Sequence, residues 1–162
     1  NKRPIILKNE VMKMIIRTAL AVMIVVAAST SSTKANMKES ITQAGSNALV
    51  KYVETVVYGM VENMSELFSD QFRQCTNVNG KVITHTKSQV ISFIKKQKHI
   101  KQDCITNYAI IEQSATCFIA KVEMKYLEFT RVDYLTLGPE GKKWKVNQVL
   151  TTFKENSTYL SK

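Results

Sequence analysis

Apolar and polar positions alternate most regularly between Phe118 and Phe153, where the pattern predicts three consecutive strands of an antiparallel meander. In the first, Phe118, Ala120, Val122, Met124 and Tyr126 alternate with Ile119, Lys121, Glu123 and Lys125, the two-residue period of a strand that packs on one face and meets water on the other. Thr130 to Leu137, rich in β-branched and aromatic residues, is the second. Trp144 to Phe153 is the third, entered through the turn Gly138-Pro139-Glu140-Gly141.

Upstream the period changes. From Lys38 to Met60 the apolar residues Ile41, Leu49, Tyr52, Val53, Val56 and Val57 recur every three or four positions, which predicts a long amphipathic helix. Asn63 and Glu66 form a variant capping box, and Met64, Leu67 and Phe68 give a short second helix its apolar side. Phe72 to Val78 and Lys81 to His85 flank Asn79-Gly80, a two-residue hairpin turn. A second capping box, Thr86 with Gln89, opens a third helix carrying Val90, Ile91, Phe93 and Ile94 and ending in the basic stretch Lys95 to His99. Asp103 to Glu112 reads as a further strand, turning near Gln113-Ser114. The expected architecture is α+β: three helices, placed early in the chain, packed on one face of a mainly antiparallel, strongly curved sheet of about six strands.

Composition alters this picture mainly at the N-terminus. The 162 residues are 44% hydrophobic and 22% charged, which suits one globular domain and excludes a disordered chain. The net charge of +10 divides evenly: residues 1–35 hold six Lys/Arg against one Asp/Glu, the remainder 17 against 12, so each part carries +5. From Met12, the expected initiator, a basic start leads into an apolar run from Thr18 to Ala28 and then a small, polar tract. That order is expected of a secretory signal peptide, cleaved after Ser29 or Ala35, and the run is short of the ~20 apolar residues of a membrane span. Residues 1–35 are thus assigned to upstream sequence plus leader and 36–162 to a single domain, secreted or periplasmic, with no stable membrane anchor. The basic groups Lys95 to Lys101 and Lys142 to Lys145 lack interleaved aromatics, so no nucleic-acid partner is expected.

The order of elements, with Val57-Tyr58-Gly59-Met60, Val78-Asn79-Gly80-Lys81, Ala120-Lys121-Val122-Glu123, Asp133-Tyr134-Leu135-Thr136-Leu137 and Lys143-Trp144-Lys145-Val146, resembles the nuclear transport factor 2-like superfamily. Within it the chain is most similar to the bacterial family called putative lumazine-binding, over about Ser40 to Lys154. The resemblance implies a sheet curled into a cone (half-barrel), closed by the long first helix, with a pocket inside. Many relatives read Phe-His-Pro-Asp after the second helix; here the chain reads Phe68-Ser69-Asp70-Gln71, so no activity that needs that His is carried over.

Such a cone would be lined by Tyr52, Tyr58 and Phe68 from the helices and Tyr108, Tyr126, Tyr134 and Gln148 from the strands. The expected function is binding of a small apolar or aromatic ligand; an ordinary filled core is the alternative interior. A second reading is an isomerase, dehydratase or cyclase of the ketosteroid-isomerase type, with Asp133 as base and Tyr134 or Tyr58 as donor, since acid-base chemistry needs a titratable group in a dry pocket. A third is a structural or interaction protein that forms a homodimer through the sheet. His85 and His99 read as surface residues. Cys75, Cys104 and Cys117 lack metal-ligand spacing and read as buried free thiols, a disulfide from Cys75 remaining open. Neither metal nor cofactor is expected.

Overall fold

The computed structural model describes residues 43–156 except Asn79. The expectations for the leader, the initiator Met12 and the start of the first helix lie outside the described residues. Helix α1 is described over 43–58; α2 is Met64–Leu67, β1 Phe68–Val78, β2 Lys81–Thr86, α3 Lys87–Lys95, β3 Ile105–Gln113, β4 Phe118–Lys125, β5 Phe129–Glu140 and β6 Lys143–Glu155. The six strands form one sheet in the order β2-β1-β6-β5-β4-β3, antiparallel throughout except where β1 runs parallel to β6. The α+β cone is therefore present, with two helices ahead of the sheet and the third after the first hairpin, where the Thr86/Gln89 box places it.

The alternation read from the sequence becomes the concave face. Phe118, Ala120, Val122 and Met124 of β4, Leu135 and Leu137 of β5, and Val146 and Val149 of β6 are buried there. Leu49, Tyr52, Val53 and Val57 of α1 cover them. Helix α1 ends at Gly59, whose φ of +65° turns the chain out of the helix, and the Gly59 carbonyl accepts the His99 N–H at 3.0 Å. Through that bond the end of α1 is tied to the segment that follows α3.

Several local expectations change. Asn63 adopts φ 55° and its side chain makes no capping bond, because a left-handed residue at that position aims its side chain away from the first helical N–H groups. Glu66, the other half of the expected box, pairs instead with Lys143 across to β6. The Thr86 box does form, Gln89 Oε1 accepting the Thr86 N–H at 2.8 Å. The turn expected at Gly138 to Gly141 shrinks to Gly141 and Lys142, since Gly138, Pro139 and Glu140 all pair with β6. Among the described residues no helix is long and apolar enough to cross a membrane.

Strand β3 is the edge of the sheet opposite β2. Ile105, Tyr108, Ile110 and Ile111 are all exposed. The three cysteines are free and half-buried, less enclosed than their expected core positions; Cys104 packs on the core beside Tyr126, with its sulfur 3.4 Å from the Thr106 hydroxyl.

Candidate functional site: a cavity over a buried ion pair

Between α1, α3 and the concave face of β1, β6 and β5 lies a cavity of about 470 Å³. Its walls are apolar: Val56 from α1, Val90 and Ile94 from α3, Phe68 and Phe72 from β1. Phe93 and Phe153, 59% and 50% exposed, also line it and are its most open walls. Phe93 belongs to the apolar side expected of the third helix, yet the helix buries only Val90 and Ile94 and leaves this ring on the cavity side.

The polar part of the lining comes from residues that share strand faces. Arg131 and Asp133, two apart on β5, point to the concave side together. Asp133 is fully buried, and each of its oxygens receives two donors. Oδ1 accepts from Arg131 Nε at 3.0 Å and from the Thr151 hydroxyl at 2.7 Å; Oδ2 accepts from the Tyr52 hydroxyl at 2.9 Å and faces Arg131 Nη2 at 2.8 Å. Gln74 extends the chain, its Nε2 donating to the Thr151 hydroxyl at 2.8 Å. The network joins α1, β1, β5 and β6, and Tyr52, Gln74, Arg131 and Thr151 all present atoms to the cavity.

Electrostatics follow from this packing. Burial, and after it the charge of Asp133, pushes the Tyr52 hydroxyl well above the usual tyrosine value of 10.0. Burial would pull the Arg131 guanidinium down, but the facing Asp133 carboxylate and Tyr52 together hold it above its ordinary value. Because the folded-state value of Tyr52 lies above the unfolded one, its contribution to stability is constant below about pH 10 and is lost as the pH rises further. We expect the tyrosinate absorbance of one tyrosine to appear only together with alkaline unfolding, and that component to vanish in Tyr52→Phe.

The model of the family described as "Putative lumazine-binding" matches residues 41–150, which spans α1 through most of β6. The chain belongs to this family. No curated protein sequence matches it. Similar solved structures include a nuclear transport factor 2-like protein of unknown function from Shewanella baltica OS155, 20% identical, covering 70% of this chain and 92% of that one with a TM-score of 0.57. Another of unknown function, from Silicibacter pomeroyi DSS-3, is 13% identical, covers 70% and 94%, and has a TM-score of 0.55. A cystatin-like fold protein from Burkholderia xenovorans LB400 is 12% identical, covers 70% and 92%, and has a TM-score of 0.55. At these identities the likeness is one of fold: the chain shares the fold of these nuclear transport factor 2-like and cystatin-like proteins.

Against this putative lumazine-binding domain the expected lining residues separate by strand and by parity. Tyr52 and Phe68 line the cavity. Tyr58 sits on the exposed side of α1, with Lys101 Nζ 5.7 Å from its ring centre. Tyr108 pairs with Val122, so it shares the concave face, but it stands on the edge strand at 54% exposure. Tyr126 is half-buried and stacked on Phe129 at 4.7 Å, outside the cavity lining. Tyr134 alternates with Asp133 and faces the convex side, as does Thr136.

Gln148 is the clearest departure. The register between β5 and β6 shifts at Thr136/Leu137, so that Leu137 pairs with Val146 and Thr136 with Gln148. Asn147 is therefore an extra residue, and the bulge reverses the parity that Trp144 and Val146 had set. Gln148 is exposed on the convex side, and Val149 takes the inward position. Asp133, the candidate base, is buried on the concave side but held by four donors, with the Arg131 side chain between it and the cavity. Among the polar lining residues not anticipated are Gln74, His85, Gln89, Arg131 and Thr151. His85, expected at the surface, pairs with Gln74 across the first hairpin and so points into the cavity. Among the described residues no group of three or more His, Cys, Asp or Glu side chains could hold a metal ion.

Proposed function

We propose that this domain binds a small, flat, largely apolar molecule inside the cone. The observation that carries this reading is the cavity itself: about 470 Å³, apolar and aromatic on its walls, with a few convergent polar side chains. Ligand sites of this kind are usually pre-formed, mostly apolar and ~300 to 1,000 Å³ in size. Membership in a family described as lumazine-binding supports a small-molecule ligand without naming it. The proton-transfer alternative finds less support, because all the accepting capacity that Asp133 offers toward its neighbours is already taken by Tyr52, Thr151 and Arg131. With the binding role we propose export from the cytoplasm, supported by the basic, apolar and small-residue order of residues 12–35. A homodimer would use the exposed apolar side chains of the sheet.

A thermal-shift screen of the full chain against pteridines, flavins, steroids and aromatic metabolites tests the reading. A ligand bound only by the folded state at 100 times its dissociation constant adds about 2.7 kcal/mol and raises the melting temperature. The shift is expected to disappear in Val56→Trp, which fills the cavity, and to persist in Gln148→Leu, which changes the convex surface. No shift with any compound, or one that survives Val56→Trp, would sink the proposal.

A further inference from the structure

Among the described residues the cavity lining holds one Arg or Lys, Arg131, and no carboxylate. Asp133 engages Arg131 through Nε and Nη2, which fixes the plane of the guanidinium. Nη1 has no hydrogen-bond partner among the described residues, and Arg131 lines the cavity with 20% of its side chain accessible. A guanidinium carries five N–H donors in one plane, so pinning one edge leaves the Nη1/Nη2 edge as a fork of fixed direction.

The charge balance gives that fork a sign. Asp133 lies beneath Arg131 at 0% exposure, and two further donors, Tyr52 and Thr151, draw on its oxygens. The pair is neutral as a whole, but its positive end lines the cavity and its negative end is buried beneath it. An approaching group therefore meets donors and positive potential before it meets the carboxylate. A planar carboxylate matches such a fork in a bidentate manner. A phosphate dianion would want more than a single cation, and among the described residues Arg131 is the only Lys or Arg on the lining.

The opposite end of the cavity is polar in another way. His85 lies on β2, three strands across from β5, or about 14 Å along the sheet at the usual spacing of strands. Gln89 approaches from α3, where its Oε1 is occupied by Thr86 and its amide N–H groups are left for a ligand. Phe72, Phe93 and Phe153 supply aromatic wall, Phe153 beside Arg131 through strand pairing.

We infer that the ligand is an elongated monocarboxylate with an aromatic or alicyclic body, its carboxylate docked on Arg131 and a polar substituent directed toward His85 and Gln89. This inference rests on the binding reading above and narrows it to one chemical class.

Calorimetric titration of the full chain with 2-naphthoate and its neutral counterpart 2-naphthamide tests it. The carboxylate is expected to bind at least tenfold more tightly than the amide. In the paired variant Arg131→Gln/Asp133→Asn, which removes both charges together and leaves no unpaired buried ion, that preference is expected to vanish. In Val56→Trp both compounds should lose binding. Equal affinities in the native chain overturn the inference, as does a preference that survives the paired variant or the blocked cavity. If neither naphthyl compound binds while neutral members of the thermal-shift panel do, the carboxylate class falls and the binding role stands. If no compound of either set binds, both fall.

Discussion

Replacing Asp133 with Ala is expected to cost about 3 to 5 kcal/mol of folding stability, measurable as a lowered urea midpoint. Three hydrogen bonds and a further ion-pair contact, from three residues, converge on this carboxylate, and it is wholly buried. Its removal strands the Arg131 guanidinium in a low-dielectric site and leaves the Tyr52 and Thr151 hydroxyls without their acceptor. Tyr52→Phe, which deletes one donor, should cost only about 1 to 3 kcal/mol, in the range for losing a single buried hydrogen bond to a charged group. A group serving chiefly as a general base would give the reverse result: lost turnover with stability nearly unchanged. An Asp133→Ala protein as stable as the native one would show that the network contributes little.

The second large effect is expected at Gly59. Its φ of +65° is a conformation that side-chain-bearing residues adopt at a cost, and a Cβ there would lie 2.5 Å from the Gln97 carbonyl oxygen and 2.9 Å from the backbone nitrogens of His99 and Ile100. All three are backbone atoms and cannot swing aside. Gly59→Ala should therefore cost about 3 kcal/mol, the left-handed backbone contributing ~1 to 2 and the displaced loop the rest. Gly80→Ala supplies the comparison: φ is +78° with nothing within 4 Å of the added carbon, so only the conformational part, ~1 to 2 kcal/mol, should appear. The two variants, unfolded in urea side by side, separate strain from collision. Because Gln97 lines the cavity, the Gly59 variant should also weaken ligand binding, whereas the Gly80 variant should not.

Much of the fold was legible because its information is local. The alternation from Phe118 to Tyr126, the Asn79-Gly80 hairpin and the Thr86/Gln89 cap each declare a structure within a few residues. The parallel seam between β1 and β6 was not legible, since Gln74 and Val149 are neighbours through pairing alone and nothing near either marks the other. The site suffered from the same limit. Arg131 and Asp133 stand two apart on one strand, a spacing that by itself announces an ion pair on one face, and that signal was available. Gln74 and Thr76 carry the concave parity of Phe72 into polar residues, which was also readable once the hairpin was placed. Gln148 was misplaced because a single bulged residue leaves no trace in composition, and it reverses every assignment of side after it. Tyr108 was assigned to the correct face but lies exposed on an edge strand, and which strand ends at the edge is a property of the assembled sheet.

The seam has a consequence for how the chain is made. Strand β6 is synthesised after the other five described strands, yet it lies at the middle of the sheet, between β1 and β5. Until it emerges, β1 with its hairpin partner and the β3-β4-β5 meander have no hydrogen-bonded connection within the sheet. They are two half-sheets with open edges, a state prone to pairing with other chains. A nascent chain stopped before Lys143 would hold neither the Thr151 hydroxyl nor the floor of the cavity. Ligand capture is thus postponed until β6 has been made, and the binding site exists only once the inner edges of β1 and β5 have paired with it.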